Sequence, residues 1–233
     1  HTGVSVDAPP RSHPQFYGMT IIGGSTGGRS GALMRVRGGS GGKFGNIVLA
    51  FPKDEGFRNN DCGSESKTQT LPSALTSIGA VADGSSSGYL YFSSNNIING
   101  ASTPIRDDCG SGAFSSYVSS APGFASVSSS CLDYGCLTSS FNPLPSNGAT
   151  MCSSVDSAPN GDAFYHSASC KGAFASAAAT DNWLVGWSWL DCSGKMANGL
   201  CSGGLPTSPF ATLAENVGAL GGDITADTTL VAT

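Results

Sequence analysis

Short apolar runs separated by glycine-rich turns constrain the fold of this chain most. The segments FYGMTIIGG (16–24), GALMRVRGG (31–39) and FGNIVLAF (44–51) are typical of strands. The linking sequences GGSTGGRSG and GGSGG are typical of turns, because glycine adopts positive φ at little cost. LTSIGAVADG (75–84), which could instead form a short helix, and GYLYFSSNNI (88–97) predict two further strands. This succession of short apolar runs and glycine-rich turns favours an all-β domain over a helical bundle.

One later segment alternates more strongly than the others. In NWLVGWSWLDC (182–192), the three tryptophans and Val185 occupy alternate positions, which predicts a strand whose large rings anchor a core. With 233 residues, 39% of them hydrophobic and only 12% charged, the chain can bury the core of one domain. We therefore expect an immunoglobulin- or fibronectin-like β-sandwich with long disulfide-pinned loops over residues 1–216. Residues 217–233 lack aromatic residues and cysteines, and we expect a flexible tail or linker there.

The cysteines indicate the compartment. Their number is even and they show no paired C-x-x-C spacing, which predicts four disulfides in a secreted, extracellular protein and disfavours a zinc site. The pairing stays open at this stage. No apolar run approaches the roughly 18 residues that a membrane span needs. The eight positions are Cys62, Cys109, Cys131, Cys136, Cys152, Cys170, Cys192 and Cys201.

The charge is unevenly distributed. The net charge is −5, but residues 1–58 hold seven Lys and Arg against three acidic residues. These charges are either scattered over solvated faces or form a basic patch that faces an anionic polymer. A sequence pI near 4.9 and the lack of a known binding motif argue against nucleic acid as the partner.

The chain begins with histidine, and removal of a signal peptide just before His1 would explain that. An N-terminal His offers an α-amine and an imidazole nitrogen to one metal ion. A second histidine would complete a set of three nitrogens that suits Cu(II). His166, which lies four residues before a cysteine, is the favoured second ligand; His13 is the alternative. Either could also be an ordinary surface or hydrogen-bonded histidine.

Several segments carry a family resemblance. An N-terminal His before a PPRS segment, together with FRNNDCGS, YHSASCKGAF and the Trp-rich GWSWLDCSG, resembles the lytic polysaccharide monooxygenases. CSGGLPTSPF is similar to the segment that carries their axial aromatic residue. The resemblance implies that His1 and His166 bind one copper ion and that Phe210 lies on its axial side, with Tyr17 or Tyr165 as alternatives.

The resemblance also implies an activity. A monomeric, secreted enzyme would use an external reductant and oxygen or hydrogen peroxide to oxidise C1 or C4 beside a glycosidic bond. Its substrate would be a plant cell-wall polysaccharide, and the basic N-terminal region favours pectin (homogalacturonan). The main alternative is a non-catalytic secreted module that binds copper or carbohydrate.

Two hydrolytic alternatives are weaker. A serine protease would use Ser111 in DCGSGAF, but the surrounding residues do not match the usual Asp-Ser-Gly-Gly context. A glycoside hydrolase needs two placed carboxylates, and no pair stands out among the loop acids. The candidate acids are Asp107, Asp108, Asp133 and Asp162.

Overall fold

The computed structural model describes residues 14–24, 31–37, 40, 42–60, 90–100, 102–109, 116–127, 140–146, 148–158, 164–197, 199 and 201. The chain divides into two compact units, His1–Trp183 and Leu184–Thr233, and each is described by itself. The predicted strand at 75–84 and the predicted tail at 217–233 lie outside the described residues.

The described residues of the first unit form these strands: β1 Gln15–Ile22, β2 Ala32–Arg37, β3 Gly42–Ala50, β4 Glu55–Asn60, β5 Leu90–Phe92, β6 Ile97–Asn99, β7 Thr103–Asp107, β8 Phe124–Ser126 and β9 Asn142–Pro145. The 3₁₀ turns Thr150–Cys152 and Ala179–Asp181 follow them. In the second unit, Trp189–Cys192 form a short helix, α1. No helix in the described ranges is long and apolar enough to cross a membrane.

The strands form two parallel sheets that the chain visits alternately. In sheet one, β3 pairs in parallel with β1, β5 and β6. In sheet two, β4 pairs in parallel with β2 and β7. Because β1 to β4 alternate between the sheets, and β5 and β6 in sheet one are followed by β7 in sheet two, the described strands form three turns of a parallel β-solenoid. These turns are β1–β2, β3–β4 and β5/β6–β7.

This pairing bears on the predicted fold class. The all-β prediction is confirmed, and the strands predicted at 16–24, 31–39 and 44–51 correspond to β1, β2 and β3. The immunoglobulin-like arrangement is not confirmed, because such sandwiches pair their strands antiparallel. Among the described strands, only β8 and β9 pair in that way.

An apolar core joins the two sheets. Phe44 of β3 and Phe92 of β5 are in register in sheet one. Phe57 of β4 reaches both from sheet two, with ring centroids 5.5 Å from Phe44 and 5.1 Å from Phe92 and edge-on geometry. Other buried members of this core come from both sheets: Val36, Ile47, Leu49, Leu90 and Ile98. Parallel sheets of this kind are stable because their inner faces are covered.

Two asparagines accommodate an interruption in sheet one. Asn46 in β3 has φ 55°, a left-handed conformation that Asn tolerates better than most residues. Beside it, the Asn96 side chain accepts a hydrogen bond from the Ile47 amide (2.8 Å) and donates to the Phe44 carbonyl (2.9 Å). The Asn96 side-chain amide therefore makes the hydrogen bonds that a strand would otherwise make with β3 in the gap between β5 and β6. The Ile47 amide and the Phe44 carbonyl stay satisfied as a result.

The described residues of the segment 148–175, which are 148–158 and 164–175, pack against the outer face of sheet one. Met151 is buried with Val48 and Ile97 in a second apolar cluster. A disulfide joins Cys152 to Cys170 in this segment. The Gly172 amide donates to the Asn46 carbonyl (2.8 Å), which holds the segment on β3.

The predicted strand 182–192 is wrong. Residues 183–187 form turns, and α1 follows with Ser188 as its N-cap, whose hydroxyl accepts from the Asp191 amide (3.3 Å). Gly186 adopts φ 92°. These local turn and capping signals outweigh the alternation in this segment. The tryptophans do not anchor a core: Trp183, Trp187 and Trp189 are 52%, 66% and 37% exposed.

Candidate functional site

Three arginines form a row on sheet two. Arg35 of β2 is in register with Arg58 of β4, and Arg58 is in register with Arg106 of β7. In-register residues of parallel strands share a face, and neighbouring strands lie about 4.8 Å apart. Arg35 is exposed, and the side chains of Arg58 and Arg106 are 22% and 48% exposed. We call these residues the arginine row; it presents one guanidinium per turn of the solenoid.

A repeated diagonal contact fixes the row. Arg35 Nε donates to Asn60 Oδ1 (2.7 Å), and Asn60 lies two residues after Arg58. Arg58 Nε and Nη2 donate to Asp108 Oδ2 (3.2 and 3.1 Å), and Asp108 lies two residues after Arg106. Arg35 and Arg58 thus each reach the residue two places beyond the next arginine of the row. The first acceptor is a neutral amide and the second is a carboxylate.

Two carboxylates partly balance the row. Asp108 Oδ1 accepts from Arg106 Nε (2.8 Å), and this bond is the main reason why the pKa of Asp108 is lowered and that of Arg106 is raised. Glu55 is buried; its Oε1 accepts from Arg106 Nη1 (3.2 Å), and its Oε2 forms an ion pair with Arg58 Nη1 at 3.7 Å. Arg35 has no acidic partner among the described residues. Three guanidinium groups therefore face two carboxylates, and the excess positive charge lies at the Arg35 end.

Two of the acids considered for hydrolysis, Asp107 and Asp108, are among the described residues, and both hydrogen-bond to neighbouring groups. Asp108 accepts from two arginines, as above. Asp107 Oδ1 accepts from Asn59 Nδ2 (2.9 Å) and from the Cys109 amide (3.2 Å). Asp133, Asp162 and the protease candidate Ser111 lie outside the described residues. Asp107 and Asp108 thus have their oxygens committed to holding neighbouring groups.

The residues predicted to bind copper are only partly described. His166 is exposed, while His1, His13 and Phe210 lie outside the described residues. Within the described ranges, no group of three His, Cys, Asp or Glu residues is close enough to hold a metal ion. The copper site therefore stays a prediction.

The structure does bring together the two other residues considered for the axial position. Tyr17 and Tyr165 pack edge to face with ring centroids 6.0 Å apart. Tyr165 precedes His166 and donates its hydroxyl to the Gln15 carbonyl (3.1 Å). Phe164 packs against Tyr165 at 5.2 Å and is 79% exposed. Phe164, Tyr165 and Tyr17 thus form a line of contacting aromatic rings that begins at the exposed Phe164.

A second polar cluster surrounds Asp156, on the outer face of sheet one. The Asn46 side chain pairs with the Asp156 backbone, accepting from its amide (2.8 Å) and donating to its carbonyl (3.0 Å). The Tyr17 hydroxyl donates to the same carbonyl (3.0 Å). Asn95 Nδ2 donates to Asp156 Oδ1 (2.6 Å), while Oδ2 is buried with no hydrogen-bond partner in the structure.

Burial shifts the titration of the groups around Asp156. It lowers the pKa of Lys171, which is 1% exposed, and the Asp156 charge partly offsets that change. Burial also lowers the pKa of Lys43 and raises that of Tyr91, its in-register neighbour in sheet one. Burial, and not a neighbouring charge, is the largest cause of the shift in each of these three groups.

Comparison with known proteins adds no assignment. No protein-family model matches the chain, and no curated protein or solved structure matches it either.

Sequence reasoning missed the arginine row, although a signal for it exists. The sequence FRNNDCG around Arg58 resembles IRDDCG around Arg106. In both, an apolar residue that packs in the core precedes the arginine, and a polar acceptor follows two positions later. This similarity marks equivalent positions on successive turns of a solenoid.

Proposed function

We propose that this protein is a secreted protein that binds an acidic polysaccharide through the arginine row. The observation that carries the proposal is the register of three exposed or partly exposed guanidinium groups, which among the described residues face two carboxylates. Arginine is suited to this role because its planar fork of N–H donors matches a carboxylate and stays charged at any physiological pH.

The shape of the site favours a polymer. The row runs across the strands, and hence along the axis of the solenoid, on the face of sheet two where Arg35 and Arg106 are exposed. An extended chain can lie along such a face. A pectin of the homogalacturonan class presents a carboxylate on every unesterified sugar, which matches a line of cations. The disulfides Cys152–Cys170 and Cys192–Cys201 support an oxidising, extracellular setting.

Binding to polygalacturonate tests the proposal, with fully methyl-esterified polygalacturonate and cellulose oligosaccharides as neutral comparisons. We expect binding to the acidic polymer that weakens as the salt concentration rises, because exposed charges are screened. Arg35→Gln should reduce the affinity about three- to tenfold, since it removes the arginine whose charge no described acid balances. Lys53→Gln removes the same charge from an exposed position outside the row and is the matched control.

The result that contradicts the proposal is equal binding to the acidic and the esterified polymer. An identical loss of affinity in the Arg35 and Lys53 variants would also contradict it, because the effect would then come from net charge and not from the row.

Copper-dependent oxidative cleavage is the second candidate. It is supported by the exposure of His166 next to the Tyr165–Tyr17 pair. Here His166 would supply an imidazole nitrogen and the metal would supply the oxidative chemistry. The neighbouring aromatic rings of Phe164 and Tyr165 would offer a surface to a sugar ring. Copper titration should show that His166→Ala weakens binding strongly and His13→Ala weakens it little. Products of polygalacturonate, cellulose, chitin and xylan should then be examined for oxidised ends, and their complete absence with reductant present would rule this candidate out.

A further inference from the structure

The spacing of the arginine row suggests which acidic polymer it recognises. The three arginines repeat with the strand separation of a parallel sheet, about 4.8 Å. One pyranose residue of an extended polysaccharide spans a comparable length. A polymer lying along the solenoid axis would therefore advance by about one sugar for each turn of the protein.

The guanidinium groups are held in place before any ligand arrives. Asn60 holds Arg35, and Asp108 lies between Arg58 and Arg106 and bonds to both. A guanidinium has five N–H donors, and the hydrogen bonds described above use at most two on each arginine; Arg58 Nη1 also lies 3.7 Å from Glu55 Oε2. The remaining donors are available to a ligand carboxylate, and groups that are already ordered lose less entropy on binding.

The row also has a direction. At one end, the acceptor for Arg35 is a neutral amide, whereas Arg58 and Arg106 share the carboxylate of Asp108. Asn60 and Asp108 occupy equivalent positions on successive turns. Because Asn60 is neutral and Asp108 is negatively charged, the electrostatic potential is more positive at the Arg35 end of the row. The Arg35 end should hold a ligand carboxylate most strongly.

We propose that the arginine row recognises a run of three consecutive uronate residues, with one carboxylate over each arginine. This inference rests on the proposed function, since it specifies the ligand of the same surface. It distinguishes a contiguous polyuronate block from a polymer of equal charge in which uronates alternate with neutral sugars, because alternation doubles the carboxylate spacing along the chain.

Defined oligosaccharides test the register. Galacturonate oligomers of one to six units are titrated into the intact protein by calorimetry. We expect trigalacturonate to bind about tenfold more tightly than digalacturonate, and tetragalacturonate to stay within about twofold of trigalacturonate. A hyaluronan hexasaccharide carries the same three carboxylates on alternate sugars and is the charge-matched control. It should bind about tenfold more weakly than trigalacturonate.

Two variants exchange the acceptors of the row. Asp108→Asn copies the arrangement at Asn60 and should raise the affinity for trigalacturonate about two- to fivefold, whereas Asn60→Asp should lower it by a similar factor. Thermal unfolding checks that each variant folds. If Asp108→Asn does not fold, Asn60→Asp still tests the inference, because it leaves the contacts of Asp108 with both arginines in place.

The outcomes separate this inference from the proposed function. Equal affinity for trigalacturonate and the hyaluronan hexasaccharide, or an affinity that rises steadily with charge beyond three units, would overturn the register while polyanion binding stands. Failure of both polygalacturonate and every oligomer to bind would overturn both. No change in affinity in folded Asn60→Asp would show that carboxylates bind away from the row.

Discussion

Replacing Phe57 by alanine tests whether one core joins the two parallel sheets. Phe57 is fully buried, and it is the sheet-two aromatic ring that meets Phe44 and Phe92, at 5.5 and 5.1 Å with interplanar angles of 75° and 65°. Phe44 and Phe92 are fixed by their register in sheet one, so they cannot collapse into the space left behind. We therefore expect a loss of about 3–5 kcal/mol in the free energy of unfolding, toward the upper part of that range.

The assay is thermal unfolding followed by far-ultraviolet circular dichroism. For a domain of this size, the loss corresponds to a fall of about 6–20 °C in Tm. Phe164→Ala is the matched control, because it is the same chemical change at a ring that is 79% exposed, and it should change the free energy by no more than about 0.5 kcal/mol. If the two variants differ by less than about 1 kcal/mol, Phe57 does not pack between the sheets as described.

Three further predictions follow from contacts in the first unit. Because its arginine partners lower the pKa of Asp108, the stability that this carboxylate contributes is present above about pH 4 and is lost as the pH falls through the lowered pKa; the difference in Tm between wild type and Asp108→Asn should vanish in strong acid, and a difference that persists there would contradict this. Asn46→Ala should cost about 2–4 kcal/mol in urea unfolding, because it removes both bonds to Asp156 and places a Cβ residue without a compensating amide at φ 55°; Asn46→Gly loses the same bonds without the strain, so equal losses would show that the backbone is not strained. Gly172→Ala should cost more than about 1 kcal/mol in the same assay, because Gly172 has φ 92° and an added Cβ would collide with the Thr20 hydroxyl; wild-type stability in this variant would mean that the segment does not pack closely on β1.

The sequence predicted the existence of several strands better than their partners. The strands at 16–24, 31–39 and 44–51 were predictable because alternation and glycine punctuation are local signals. The direction of strand pairing was not predictable, since side chains alternate in the same way in parallel and antiparallel ladders. The short glycine-rich links also resemble hairpin turns, whereas here each link carries the chain from one sheet to the other.

The tryptophan-rich segment shows the opposite error. Alternation over residues 182–192 is strong, but Gly186 and the capping residue Ser188 favour a turn followed by a short helix. A strand needs a neighbour to satisfy its backbone, and a sequence pattern does not reveal whether one is present. Local capping therefore decided the structure of this segment.

Local sequence patterns did not reveal the candidate site, for a related reason. Arg58 and Arg106 are far apart in the sequence, and only the parallel register places them side by side. The basic character of residues 1–58 did point to an anionic partner, but it did not single out Arg35 from the other cations. The acids Asp107 and Asp108 were noticed for hydrolysis, and the structure instead gives them partners that hold neighbouring groups.

The diagonal contact has a consequence for how such a protein can change in length. An arginine with an acceptor two places later occurs in β4 and at the end of β7, so a duplicate of such a winding would bring another arginine and an acceptor for the arginine of the winding before it. Growth by duplication would then lengthen the arginine row by one guanidinium, about 4.8 Å, per added winding, and the existing windings would keep their contacts.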